Sequence, residues 1–254
     1  MALKAVDYDE RQHKVYAAGR AMPEETRARW MEAFAEQLPA ERPLPLIDLG
    51  SGVGRFTPAL AATFGGPVYG VEPSKRMRNI AQAAGPWLGV DYRAGDAAHI
   101  PVGDGAVAAV LMFLSFHHVP DRAAAAIEIA RVLRPEGRVL IVSGFSDRMA
   151  NGSWWHQFFP RARLVEQEMF PSLAETTDVF SSAGLKPLDH TEVVTRVWNS
   201  VAEAAERLRL RPFSTFEHLT EDEIAEGFVR LDAAAAAEIS PRPVMGISNL
   251  LVFG

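Results

Sequence analysis

Three glycines at alternate positions, Gly50, Gly52 and Gly54, follow the apolar run Leu46-Ile47-Asp48-Leu49. A loop of this kind can pass beneath a ligand, because glycine enters left-handed conformations without a Cβ clash and lets the backbone approach closely. Twenty-two residues after Gly50, a second apolar run ends in Val71-Glu72-Pro73. An acid at that distance is placed to accept hydrogen bonds from the two hydroxyls of a ribose. Farther along, the run ending at Leu114 leads into Ser115-Phe116-His117-His118. An imidazole titrates near pH 6.5 (about), so these side chains can accept a proton from a reacting group at neutral pH. His117 is the preferred base, His118 the second candidate, and His156, within Trp154-Trp155-His156-Gln157-Phe158-Phe159, the third. These residue types offer a nucleoside-binding corner and, elsewhere in the chain, candidates for proton transfer.

The elements needed to hold them are legible as apolar β-type runs alternating with helical patterns, which argues for βα units and a mostly parallel sheet. The pattern predicts strands at 45–49, 67–72, 89–93, 107–113 and 138–143, with two more near 188–197 and 246–253. Helices are expected at 23–37, 55–64, 74–84, 122–133 and 172–183. Between the last two strands, 199–243 reads as helical, and Thr220-Glu221-Asp222-Glu223 is a capping-box signal for one of its helices. The glycine loop thus lies between a strand end and a helix start, the ligand-binding corner of a doubly wound sheet.

Composition narrows the partners. The 254-residue chain is 48% hydrophobic and 23% charged, ordinary for one globular domain with an elaboration. Its formal net charge of −6 gives no basic field for nucleic acid. There is no cysteine, which removes disulfides and thiolate chemistry, and no His, Asp and Glu grouping has convincing metal-ligand spacing. No apolar run approaches the roughly 20 residues of a membrane span, and the first ten residues do not form a secretory signal. The expectation is a cytoplasmic protein acting on a small molecule, with its oligomeric state open.

The loop is D-x-G-x-G-x-G, and Arg55 stands where a dinucleotide fingerprint, G-x-G-x-x-G, has its third glycine. This pattern resembles motif I of the class I S-adenosylmethionine (SAM)-dependent methyltransferases. Gly95-Asp96-Ala97-Ala98-His99-Ile100-Pro101 is similar to their G-D-A-x-x-L-P segment. The Ser115 to Asp121 stretch and Arg131-Val132-Leu133-Arg134-Pro135-Glu136-Gly137 resemble the His-His and R-V-L-R-P-G-G stretches of the small-molecule branch, which includes ubiquinone and menaquinone biosynthesis enzymes. Two positions depart from that pattern: Ala108 where an Asp is usual, and Glu136 in place of the first glycine of R-P-G-G.

The resemblance implies a Rossmann-like α/β fold, a doubly wound seven-stranded mostly parallel sheet with an antiparallel last strand. It also implies a single domain in which 1–40 is an N-terminal lid and helix, 41–198 with 244–254 is the SAM-binding core, and 199–243 is a helical insertion covering the acceptor. The implied cofactor-binding residues are Tyr16, Arg20, Asp48, Gly50, Ser51, Gly52, Gly54, Glu72, Pro73, Gly95, Asp96, Ala97 and Ser115. Among them Asp96 would take the adenine amino group, while Arg20 would pair with the methionine carboxylate under Tyr16. The aromatic segment 154–159 is expected to wall an apolar acceptor pocket, with Trp198, Phe213 and Phe216 as weaker candidates. The reaction implied is methyl transfer to a small, apolar or aromatic acceptor. Two rivals remain at this point, a catalytically silent SAM-binding module and an NAD-dependent oxidoreductase; Arg55 and the Gly95-Asp96-Ala97 segment weigh against the second.

Overall fold

Alternation along the innermost strands decides the layering. In the computed structural model, which describes Tyr8 and Asp9, His13 to Met149 and Gly152 to Gly254, strand β4 (Val107–Phe113) is buried at every position. Val110 and Met112 face one apolar cluster, whereas Ala109, Leu111 and Phe113 face another. Strand β1 (Leu46–Leu49) divides in the same way, with Ile47 and Leu49 on the first side and Leu46 on the second. Successive strand residues point to opposite faces, so a strand covered on both sides must be apolar throughout.

The described sheet has seven strands in the order β3-β2-β1-β4-β5-β7-β6. Its remaining members are β2 (Val68–Glu72), β3 (Val90–Ala94), β5 (Leu133–Ser143), β6 (Pro187–Trp198) and β7 (Val244–Phe253). Strands β1 to β5 pair in parallel, and β7 lies antiparallel to both β5 and β6. This is the doubly wound sheet with an antiparallel last strand expected from the sequence. The switch in strand order falls between β1 and β4, where the ends of both strands border one crevice, the usual ligand position in open α/β sheets.

Helices α2 (Glu24–Gln37) and α3 (Thr57–Phe64) carry Trp30, Phe34 and Leu60 into the second cluster. Helices α5 (Arg122–Val132) and α7 (Leu173–Ser182) carry Ala125, Ile129 and Phe180 into the first. Helix α4 (Lys75–Ala83) starts from Ser74, whose hydroxyl accepts the Met77 N–H at 3.1 Å. A third cluster lies at one end of the sheet, where it takes in Trp198 of β6 and Val244 of β7. It joins α6 (Pro160–Met169), α8 (Val201–Arg209) and α9 (Glu221–Ala236) through Trp155, Phe159, Leu208, Phe216 and Leu231. The capping box at α9 forms as predicted, with Glu223 N–H donating to Thr220 Oγ1 at 3.2 Å and Thr220 N–H donating to the Glu223 carboxylate at 2.8 Å.

Three elements differ from the sequence pattern. Helix α1 (His13–Gly19) forms where only an arm was expected. Helix α6 was missed because it buries just Ala162 and Val165, too few to make an apolar stripe. Strand β5 begins at Leu133, not 138, because Leu133 pairs with Val107 before a register shift. Glu136 sits in that irregular stretch at φ 64, a left-handed conformation that explains why glycine is usual there. Among the described residues, no helix is long and apolar enough to cross a membrane.

Candidate functional site

The glycine loop is fixed by backbone bonds before any side chain is considered. Gly50 N–H and Ser51 N–H both donate to the Val71 carbonyl, at 2.8 and 3.2 Å, tying the end of β1 to the end of β2. Gly50, Gly52 and Gly54 have φ of 76°, 57° and 77°. A Cβ on Gly50 would lie 2.6 Å from Ser115 Cβ, and one on Gly54 would lie 2.2 Å from the Tyr92 hydroxyl. A Cβ on Gly52 would meet only Met77 Cε, at 3.9 Å, because it would project into a cavity. The first and third glycines therefore serve packing, and the second keeps space open for a ligand.

Glu72 lines that space. Its Oε2 accepts the Gly52 N–H and its Oε1 the Ser74 N–H, both at 2.8 Å. Burial pushes the carboxyl up from its ordinary range, and these two backbone donors oppose the rise. Each oxygen keeps a second lone pair for a vicinal diol. Asp96 accepts Ala98 N–H at 2.8 Å and His99 N–H at 2.9 Å, both on Oδ1. Those bonds shape the loop after β3 and hold Asp96 and Ala97 on the cavity wall. On the opposite side, Ser115 Oγ donates to the Leu49 carbonyl at 2.8 Å and locks the loop after β4 against β1.

The cavity measures about 1100 Å³. Clefts for one drug-sized ligand span about 300–1,000 Å³, so this one has room for a nucleoside and a second molecule. Of the predicted cofactor residues, Tyr16, Gly50, Gly52, Glu72, Pro73, Asp96, Ala97 and Ser115 line it. Asp48, Ser51, Gly54, Gly95 and Arg20 do not reach its wall. Asp48 instead accepts the Thr57 hydroxyl at 2.7 Å, bracing the loop against α3, and burial pushes its carboxyl up to about 6. Arg20 lies with its guanidinium 4.3 Å from the centre of the Phe213 ring, and its Nε has no hydrogen-bond partner among the described residues. Arg55, the residue that breaks the dinucleotide pattern, donates to the Arg20 carbonyl at 3.1 Å and packs over Phe56 and Phe113. It thereby ties the glycine loop to the N-terminal arm.

His117 and His118 both line the cavity, with ring centres 4.0 Å apart. His117 also packs on Phe170 at 4.1 Å, and its Nδ1 has no partner among the described residues. Burial, then the neighbouring His118, Arg20 and Arg122, holds its pKa well below the ordinary imidazole value. Burial, then Arg20 and His218, brings His118 down to about 4. Both rings are therefore neutral at pH 7 and present lone pairs. Tyr8 reaches the same wall, its hydroxyl 2.7 Å from His118 Nε2.

His156 is placed elsewhere. Its Nδ1 accepts the Ser153 N–H at 2.8 Å, and its Nε2 lies 2.9 Å from Glu166, which also accepts the Thr215 hydroxyl at 3.1 Å. This buried group clamps the helical cover and does not face the cavity. The aromatic segment around it is corrected in the same way. Trp155, Phe158 and Phe159 fill the third apolar cluster with Trp198 and Phe216 rather than walling the acceptor space. The residues that do complete the wall include Met77, Glu168, Met169 and His218, none of which the sequence singled out. For Met77 a signal existed, since it lies on the first turn of the helix begun by Ser74.

Comparison with known proteins finds methyltransferases. A family profile described as a methyltransferase domain matches residues 47–141. The O-methyltransferase cnsE of Penicillium expansum is 27% identical over 152 residues, covering 58% of this chain and 54% of its own. Methyltransferase GfsG of Streptomyces halstedii is 29% identical over 175 residues, covering 65% and 61%. The chain thus spans between half and two thirds of the length of these curated relatives. Among solved structures, a protein of Anabaena variabilis assigned as a methyltransferase of an antibiotic biosynthesis pathway superposes with a TM-score of 0.72 at 20% identity, over 88% of this chain and 96% of that one. At that identity the likeness speaks for the fold.

Proposed function

We propose that the chain works as a class I SAM-dependent methyltransferase and that it methylates a hydroxyl group on a small, largely apolar acceptor. The observation carrying this reading is the single cavity that runs from the glycine loop to the paired histidines. When bound, SAM supplies a methyl group already activated on a sulfonium, so the protein's task is to orient the acceptor at roughly 3 Å and exclude water.

In this reading Glu72 holds the ribose hydroxyls, Asp96 and Ala97 the adenine, and the Gly50 to Gly52 backbone the centre of the donor. Gly52 supports that fit, since its missing side chain is what leaves the space open. Tyr16 covers the donor. Arg20 lies over Phe213 behind the cavity wall, so its part is to brace the arm, and its charge reaches Tyr8 and His118 from there. Asp48, Ser51, Gly54 and Gly95 hold the loops that present these groups.

His117 and His118 face the acceptor as neutral imidazoles, able to orient a hydroxyl and take its proton. Phe113, Leu114, Val119 and Met169 give the rest of that end an apolar lining, while His218 and Glu168 add polar groups on its wall. We assign His156 to holding the cover over this space. The formal charge of −6 favours a small molecule over nucleic acid as acceptor. The Penicillium relative is an O-methyltransferase, which supports oxygen as the atom methylated.

The test combines calorimetry with a product assay. S-adenosylhomocysteine (SAH) is expected to bind saturably and NAD not to bind, and SAM is expected to methylate phenols in preference to amines of matching skeleton. Tight SAH binding with no turnover across both panels returns the silent binding module, and methylated amines alone overturn the choice of oxygen.

A further inference from the structure

The hydroxyl of Tyr8 reaches the acceptor end of this cavity, 2.7 Å from His118 Nε2. Tyr8 belongs to the N-terminal arm, 110 residues from the histidine it meets. Its ring meets His118 edge-on at 5.3 Å and Tyr16 edge-on at 6.5 Å. The next residue, Asp9, accepts hydrogen bonds from the Ser74 hydroxyl and the Arg76 N–H at the start of α4. One short stretch of arm thus touches the donor side through Asp9 and the acceptor side through Tyr8.

We propose that Tyr8 is a catalytic residue, whose hydroxyl takes the acceptor's proton while passing its own to His118 Nε2. This rests on the hydroxyl-methylation reading above. The acceptor O–H bond breaks as the O–CH3 bond forms and the donor's S–CH3 bond breaks. The acceptor proton moves to Tyr8 Oη, the Tyr8 proton moves to His118 Nε2, and the positive charge lost from the sulfonium reappears on the imidazole. That imidazolium gives its proton to water before the next turnover.

The surroundings suit this direction of transfer. Burial, then Tyr16, pushes the Tyr8 phenol up against the opposing pull of Arg20 and of a hydrogen bond with Ser214, so it stays protonated and donates to the neutral ring. The groups facing the pair are Arg20, Tyr16, Glu72, Ser214, His117 and His218. Arg20 and the burial that keep His118 neutral also make it a weak base. A weak base matches an acidic hydroxyl, so the relay selects phenols, with a pKa of about 10, over alkanols.

Two measurements test the proposal. In the SAH complex without acceptor, the 15N resonance of His118 Nε2 is expected at the position of an unprotonated, hydrogen-bonded nitrogen. It is expected to move toward the free lone-pair value in Y8F. An Nε2 resonance that does not respond to Y8F overturns the pairing. In turnover, Y8F is expected to lower kcat about 100-fold for an unsubstituted phenol, the lower end of general acid–base contributions, with KM and SAH affinity unchanged. The loss is expected to vanish for a nitrophenol already ionised at assay pH, which has no proton to give. Equal losses on both phenols, or none on either, overturn the role of Tyr8 and leave the methylation reading standing. Wild-type protein that methylates neither phenol overturns both.

Discussion

The donor side and the acceptor side of the cavity are built by different means. On the donor side, ligand-facing groups are set by main-chain bonds between adjacent strand ends: Val71 holds the glycine loop, and Gly52 and Ser74 orient Glu72. On the acceptor side, the wall gathers Tyr8, His118, Met169 and His218 from four separate stretches of chain. The stretches that carry Met169 and His218 are joined by a separate apolar cluster around Trp155, Phe159 and Phe216, beside the His156–Glu166 pair, while Tyr8 is tied to His118 by its hydroxyl. One side is a local consequence of strand, loop and helix; the other is a tertiary assembly, joined to the first by the arm that carries Tyr8 and Asp9.

The strongest way to break this contrast is Phe159→Ala. Phe159 is 1% exposed and packs so closely on Gly227 that a Cβ there would lie 2.1 Å from its ring. Removing the ring is expected to cost about 3–5 kcal/mol of stability in denaturant titration. If the two sides are separable, the folded fraction will still bind SAH with wild-type affinity in calorimetry; a parallel loss of SAH affinity makes them one unit. Glu72→Ala probes the other side. It is expected to weaken SAH binding by about 1–3 kcal/mol through lost buried hydrogen bonds, and to lower the melting temperature because the Gly52 and Ser74 N–H groups lose their acceptor. Unchanged SAH affinity would remove Glu72 from the donor site. Glu136→Gly provides the smallest effect and the control. Relieving its left-handed conformation, at φ 64, is expected to raise stability by about 0.5–1 kcal/mol. Neither SAH binding nor turnover should move, and a change in either would link the irregular start of β5 to the site.

The same contrast explains what the sequence disclosed. Strand β1, the glycine loop and Glu72 were readable because each depends on neighbours close in the chain: a doubly buried strand must be apolar, and left-handed turns favour glycine. Even there, spacing did not separate Gly52, which faces the ligand, from Gly54, which faces Tyr92. The acceptor side was far less legible. Aromatic density at 154–159 signals burial, but nothing local says whether the covering partner is a ligand or another helix. Here it is Phe213, Phe216 and Phe228. His218 resembled a surface histidine because its neighbours in space, His118 among them, lie far away in sequence. Met169 went unnoticed with α6, whose few buried positions give no periodic stripe.

The place of β7 in the sheet carries a consequence for how the molecule is made. Strand β6 stands at the sheet edge and pairs only with β7, yet β7 follows it by way of α8 and α9. During synthesis, β1 to β5 can associate while Val244–Phe253 is still inside the ribosome, but β6 must wait. The nascent chain therefore acquires its donor-binding corner first and its acceptor chamber last. Pulse-labelled hydrogen exchange during refolding is expected to protect the amides of β1 and β4 ahead of those of β6; simultaneous protection would show that the sheet closes in one step.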